Sequence, residues 1–365
     1  MKRRPDFLVF FATITLLGIG IVMVFSASNV AATAEFNDGF YYLKRQVVAA
    51  AIGLISMCFF MRIEYRRLKS WGWAALIVAI ALLGLVLMDK MGVEGGGATR
   101  WLQLGPFHLQ PSEVAKVSIV LFLATILSDN KKKITDFWQG LLPLAGVLAA
   151  LFLLILKQPD LGTAVTLAAT AVTMLYIAGA KRSHLFVLGI LAAPGVWWAV
   201  VGKEYRLRRF LAFLNPEADP LDAGFHIMQS LYAIGSGGLL GVGLGQSRQK
   251  FFYLPERHTD FIFAIIGEEL GLLGTLAVLS LFMLLAWRGC RAAMLAPDRF
   301  GTLLGTGIVA MVCIQALVNM GVVTGSLPIT GIPLPFVSYG GSSLVFSLAA
   351  MGILLNISRR GGSPG

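Results

Sequence analysis

Residues 247–271 read SRQKFFYLPERHTDFIFAIIGEELG. A basic, aromatic segment containing Pro255 ends at His258 and Thr259, and an apolar, helix-forming run follows. Asp260 stands at the mouth of that run, with Glu268 and Glu269 further in. On an α-helix the two glutamates lie roughly 12 Å deeper than Asp260, about 80° and 180° around the axis. Whether the run crosses a bilayer decides the fold. If it does, an acid at its entrance is a place for chemistry.

Composition answers the first question. Of 365 residues, 57% are hydrophobic and 13% charged, and the mean hydropathy is +0.77; a soluble chain carries about 25% charged residues. Apolar runs long enough to cross a bilayer, about 17–25 residues, recur at about 7–28, 46–62, 71–88, 111–128, 138–156, 162–179, 185–201, 260–287, 300–323 and 341–357. The expected fold is all-α and polytopic, with about ten transmembrane helices. The run after MKRR is longer than the apolar core of a signal peptide and ends in SASN without a small-x-small cleavage pattern, so it reads as a retained span.

Lys and Arg in the short connections orient the chain. With the N-terminus in the cytoplasm, the inner segments hold Lys2 to Arg4, Arg62, Arg66, Arg67, Lys69, Lys131 to Lys133, Lys181, Arg182, Arg288, Arg291, Arg299, Arg359 and Arg360. The short outer segments hold only Lys44, Arg45, Lys90, Arg100 and Lys157. Both termini are therefore cytoplasmic. The net charge of +11 is then mostly inner-loop charge facing anionic lipid, and no zinc-finger, RNP or helix-turn-helix pattern points to nucleic acid. Cys58, Cys290 and Cys313 lack CxxC spacing, which argues against a disulfide scaffold or a zinc site.

One long outer connection, about 202–259, breaks the charge bias with Lys203, Arg206, Arg208, Arg209, Arg248, Lys250 and Arg257. These cations are either merely solvated or handle an anionic ligand at the outer leaflet. The centre of this loop, Gly224 to Gly245, is apolar but glycine-rich, which suits an interfacial or re-entrant piece buried in protein.

Other motifs fall at the same outer face. Gly95 to Gly97 match no phosphate-binding pattern and read as flexible loop, while Arg100 and Trp101 belong at the interface. Gln110-Pro111-Ser112 opens a helix, with Pro tolerated in the first turn and Ser able to cap. Glu113 and Lys116 share one face of it and can pair; a charged pair inside a span either ties helices together or faces a cavity. Asp160, in KQPDLGT, can cap the next span or meet a ligand directly. Glu268 or Glu269 calls for a cation across the bundle, Lys116 among the candidates. The last outer loop, TGSLPITGIPLPFVSYGGSS, offers Ser338, Tyr339, Ser342 and Ser343, suited to a sugar site, though capping explains Ser342 equally well. His258 is at best a supporting group.

In order along the chain, RWLQLGPFHLQPSEVAK, KQPDLGTA, NPEADPLDAGFHIMQSLYAIGSGG, LPERHTDFIFAIIGEELG and PITGIPLPFVSYGGSS resemble the motifs of the SEDS family (shape, elongation, division and sporulation: FtsW, RodA, SpoVE). GLGQSRQKFFYLPERHTDFIF is more similar to the division and sporulation branch. The resemblance implies one membrane domain over residues 1–360 and a bacterial plasma-membrane enzyme whose active site faces outward, while the tail GGSPG at 361–365 reads as disordered from its own composition. Its implied activity is polymerisation of lipid II into glycan strands beside a class B penicillin-binding protein and other division or sporulation membrane proteins.

The family's essential acid corresponds to Asp260 and its cavity pair to Glu113 and Lys116. Arg100 and Asp160 also fall in family motifs, and Arg248, Lys250, Arg257 and Ser338 are carried as substrate-binding candidates. In an inverting transfer, a carboxylate takes the proton of the acceptor 4-hydroxyl. The leaving undecaprenyl pyrophosphate needs cations rather than a second acid. No cofactor is assigned, and a divalent cation, magnesium or manganese, is left open. Two rivals stand beside this reading: a flippase for the same lipid, and a non-catalytic scaffold for division proteins.

Overall fold

The computed structural model describes residues 4–88, 92–95, 98–104, 107–129, 133–219, 222–251 and 253–361. Lys2, Arg3, Lys90, Gly96, Gly97, Lys131, Lys132 and the tail residues 362–365, on which parts of the sequence reading fall, lie outside them.

The helices in chain order are α1 (Phe7–Phe36), α2 (Tyr41–Arg62), α3 (Gly72–Val86, entered through a 3-10 turn at Tyr65–Trp71), α4 (Pro111–Asp129), α5 (Leu142–Lys157, entered through a π turn at Phe137–Leu141), α6 (Leu161–Ile177), α7 (Arg182–Val201), α8 (Glu204–Leu214), α9 (Ala223–Gly237), α10 (Ile262–Met294), α11 (Arg299–Val323) and α12 (Gly341–Ser358). Among the described residues nine helical segments are long and apolar enough to cross a membrane, and α6 is a shorter apolar helix. The ten expected spans therefore all appear as helices. The chain is a multi-pass, all-α membrane protein.

Connections assigned to one side by their charge do meet at one end of the bundle. At that end Arg288 pairs with Asp6 at 2.7 Å, Arg360 with Glu64 at 2.5 Å and Arg66 with Asp298 at 2.8 Å. Asn356 accepts from the Tyr65 amide at 3.1 Å and donates to the Met61 carbonyl at 2.8 Å. Aspartates supply the starts: Asp6 caps α1 through the amides of Leu8 and Val9, and Asp298 caps α11 through that of Gly301, as helix N-termini require.

The opposite end differs from the sequence reading in three places. A small antiparallel sheet, β1 (Gly92–Gly95), β2 (Ala98–Leu104) and β3 (Phe107–Leu109), in that spatial order, stands where a loop was expected; Gly95 pairs with Ala98 inside it. Ser112 lies within α4 rather than capping it, and the Ser342 hydroxyl instead bridges α12 to the sheet, donating to the His108 carbonyl at 2.8 Å and accepting from the Gln110 amide at 3.2 Å. In the glycine-rich middle of the long loop Ala223–Gly237 form a helix, α9, packed on α10 and α11, while residues 238–245 turn back without helix.

After α9 the chain turns back and meets a break in α10. Gly271 has φ 67° and ψ −163°, a region essentially confined to glycine. The interrupted ladder is completed by the loop: Val242 and Gly243 amides donate to the Glu268 and Glu269 carbonyls at 3.0 and 3.1 Å, while Leu272 and Leu273 amides donate to Gly238 and Leu239 carbonyls at 2.9 and 3.2 Å. Backbone groups within a span need such partners. A Cβ at Gly271 would overlap the Gly241 amide nitrogen and lie 2.6 Å from the Leu239 carbonyl oxygen. Gly271→Ala is therefore expected to lose roughly 1–3 kcal/mol from backbone strain alone, read as a lowered thermal midpoint in detergent. Gly189→Ala, with nothing within 4 Å of its Cβ, is the control and should change the midpoint little.

Candidate active site

Asp260 lies in the last turn of the loop, two residues before α10 begins, so the acid stands on the helix threshold rather than inside it. Its carbonyl accepts from Asn319 Nδ2 on α11 at 2.7 Å. Its carboxylate takes no hydrogen bond among the described residues, and a Cβ on Gly331 would sit 3.6 Å from its Oδ2. The charges that act on it are Glu256, Arg209 on α8, Arg100 on β2 and Asp160 at the start of α6. Desolvation first, and Glu256 second, push its pKa up to about 7, against the pull of Arg209 and Arg100. Such a group is shared between acid and base near neutral pH.

The surrounding backbone is held from several elements. Ser338, buried, donates to the Thr259 carbonyl at 2.6 Å and accepts from the Leu334 amide at 2.8 Å. The Tyr339 amide donates to the His258 carbonyl at 2.9 Å. The His258 ring packs against Tyr42 and Tyr339, with centroids 4.4 and 5.5 Å away; burial lowers its pKa to about 4, so the imidazole is neutral at pH 7.

Arg100 donates to the carbonyls of Gln158, at 3.1 Å, and Pro159, fastening the sheet to the α5–α6 turn. Asp160 caps α6: its carboxylate accepts from the Thr163 amide at 3.0 Å and hydroxyl at 2.8 Å, and more distantly from Gln110 Nε2 at 3.4 Å. Arg100, Asp160 and Asp260 thus share one corner of this end of the bundle.

Glu113 and Lys116 pair at 2.9 Å, both almost fully buried, and Lys116 Nζ also donates to Gln315 Oε1 at 2.6 Å. Lys116 is therefore not the partner of the α10 glutamates. That cation is Lys250, whose Nζ lies 3.2 Å from Glu269 Oε1 and 2.6 Å from the Gly245 carbonyl. Glu269 accepts further from Ser26 Oγ at 2.6 and 2.7 Å and from the Ser247 amide at 3.3 Å. Glu268 accepts from the Ser247 hydroxyl, from the Arg248 amide at 2.8 Å, and from the Gln249 amide at 3.4 Å. The two carboxylates thereby fold the 247–250 turn onto α10.

Arg248 is exposed beside a cleft of about 510 Å³ that also touches Ser236, Val242, Gln246 and Glu268. Arg257 is buried, its Nε donating to the Ala27 carbonyl at 3.2 Å. The cations of the long loop therefore divide: Lys250 and Arg257 face inward, Arg248 outward, and Arg209 acts on Asp260. Among the described residues no three His, Cys, Asp or Glu side chains gather to hold a metal ion.

Gln315 and Asn319 were passed over in the sequence. The signal was there: two amides one turn apart in the otherwise apolar α11, in QALVN, at positions where an unpaired polar group would be costly.

The family profile described as "Cell cycle protein" matches residues 7–362. The chain belongs to the FtsW, RodA and SpoVE family. This SEDS chain is 48% identical to "Stage V sporulation protein E" of Bacillus subtilis over 358 residues, covering 98% of each. It is 45% identical to "Probable peptidoglycan glycosyltransferase FtsW" of Geobacter metallireducens, covering 98% of this chain and 96% of the relative. Its fold matches a chain of a solved peptidoglycan synthase complex, described as coordinating polymerization and crosslinking, with TM-score 0.81 and 32% identity over 97% of this chain and 98% of that one. The rod shape determining protein RodA of Thermus thermophilus matches with TM-score 0.72 and 30% identity over 97% of each chain.

Proposed function

We propose that this SEDS chain is a peptidoglycan glycosyltransferase that polymerises lipid II at the outer face of a bacterial plasma membrane, in division or sporulation, together with a class B penicillin-binding protein. The observation that carries the reading is Asp260. It is a carboxylate on a helix threshold, without hydrogen-bond donors of its own among the described residues, and flanked by Arg209 and Arg100.

A carboxylate committed to structure is normally hydrogen-bonded; this one is held only through its backbone. In the proposed reaction Asp260 removes the proton from the 4-hydroxyl of the acceptor sugar as that oxygen attacks the donor's anomeric carbon with inversion. The bond to undecaprenyl pyrophosphate breaks in the same step. Charge developing on the pyrophosphate is balanced by cations of the outer end, for which exposed Arg248 and half-buried Arg209 are better disposed than Lys250 and Arg257, both buried. Arg100, Asp160, Glu113, Lys116 and Ser338 then shape the site's walls.

The break in α10 supports a second reading, since interrupted spans mark many transport sites. Here, though, backbone groups around Gly271 are taken up by residues 238–243 instead of being presented to a cargo, which favours polymerisation.

The test is synthesis of glycan strands from lipid II by the purified chain with its penicillin-binding-protein partner. Strands are expected; transbilayer movement of lipid II without strands would replace this reading with transport. The same assay gives a pH prediction. The base works only when ionised, so with Asp260 near 7 the rate should fall about tenfold per pH unit below about pH 7 and level off above it. A rate flat from about pH 5 to 8 would contradict a base with this pKa.

A further inference from the structure

The carbonyl of Asp260 has no role in the α10 ladder: the third and fourth amides of the helix, Ala264 and Ile265, both turn to the Phe261 carbonyl, at 3.0 and 3.4 Å. Nor do the carbonyls of Ile332 and Pro333, in an irregular stretch of the last outer loop, have a strand or helix to serve. All three are met by α11. Asn319 Nδ2 donates to Asp260 O at 2.7 Å and to Ile332 O at 2.8 Å. One turn earlier, Gln315 Nε2 donates to Pro333 O at 2.9 Å, and its Oε1 accepts from Lys116.

Asn319 is 1% exposed and Gln315 2%. The orientation of the Asn319 amide follows from its surroundings, because a flipped group would set its oxygen against two carbonyl oxygens. Both of its N–H donors are thus spent on joining two distant pieces of chain, while its Oδ1 is buried without a hydrogen-bond partner among the described residues. A buried amide is costly to maintain half-satisfied.

We propose that Asn319 is a positioning residue for the reaction: it pins the backbone of Asp260 to the last outer loop, and the Glu113–Lys116–Gln315 chain fixes the neighbouring point of that loop from α4. The inference rests on the reading of Asp260 as the reacting base. It assigns the buried Glu113–Lys116 pair an action through Gln315, at a distance from the sugar. Displacing a reacting group by about 1 Å costs on the order of 10²-fold, and releasing this clamp frees both walls of the site at once.

The test uses Asn319→Leu, which removes both donors at similar volume, and Asn319→Asp, which replaces them with an acceptor. Each full-length chain is assayed with lipid II and the penicillin-binding-protein partner, and followed by hydrogen exchange. The expected result is a kcat lower by about 10- to 100-fold with KM within about threefold, and faster exchange in peptides covering 256–262 and 328–336. A folded variant with kcat within about twofold of wild type, or unchanged exchange in both peptides, overturns the proposal. So does failure of both variants to fold, which would make Asn319 a purely structural group. If wild type makes no strands, the proposed function falls, and the exchange comparison still decides whether Asn319 holds the two segments together.

Discussion

Asp260→Asn is expected to cut strand synthesis by on the order of 10²–10⁴-fold, the range for loss of a general base, while the chain still folds and inserts. The substitution is isosteric. It removes no hydrogen bond to a described residue, and the Asn319 contact it leaves intact is to the backbone. Folding should even gain. A carboxyl raised to about 7 in the folded chain, against about 3.9 unfolded, is penalised when ionised, so its cost to stability is absent at low pH and grows as pH rises from about 4 through about 7. The Asn variant escapes that cost. Its thermal midpoint should therefore match wild type near pH 4 and exceed it near pH 8. Wild-type strand synthesis by a folded Asp260→Asn chain would end the case for this acid as the base.

Glu269→Leu is the substitution expected to damage folding most. It strips Lys250, 4% exposed, of its only carboxylate within salt-bridge distance among the described residues and leaves the ammonium against the Gly245 carbonyl. Breaking a buried pair from one side costs about 3–5 kcal/mol, and the Ser26 and Ser247 bonds go with it. Removing both charges in Glu269→Leu with Lys250→Met should recover a substantial part, because the stranded charge, rather than the lost attraction, is the larger cost. Thermal unfolding of the two single variants and the double variant in detergent measures this. A double variant no more stable than Glu269→Leu would mean that the serine contacts, and not the ion pair, secure the turn.

What could be read from the sequence was what depends on local composition. The ten spans followed from apolar run length, the grouping of connections at one end of the bundle from Lys and Arg in short segments, and Asp160 as a cap from a Pro-Asp-Leu-Gly break. The pairing of Glu113 with Lys116 was visible because three residues on a helix put two side chains on one face. Partners remote in sequence were not. Nothing local distinguishes Lys250 from Lys116 as the counterion of Glu269, since the choice is made by a turn folding back across 19 residues. The small sheet escaped because β1 and β3 are only four and three residues long and none of its strands shows a steady alternation. Gln315 and Asn319 were hidden by the apolar residues around them, and their meaning depends on carbonyls contributed by two other loops.

The splice at Gly271 bears on how this protein can change over evolutionary time. A connection outside the bilayer ordinarily gains or loses residues with little penalty. Residues 238–243 have no such freedom, because each amide and carbonyl they lend to α10 is matched to one site in the interrupted ladder. A single insertion or deletion there would slide the whole set out of step and strand several peptide groups in hydrocarbon. Leu239, Leu240 and Val242 should therefore drift in identity, whereas Gly238, Gly241 and Gly243, all at positive φ, should stay glycine and the residue count of the segment stay frozen.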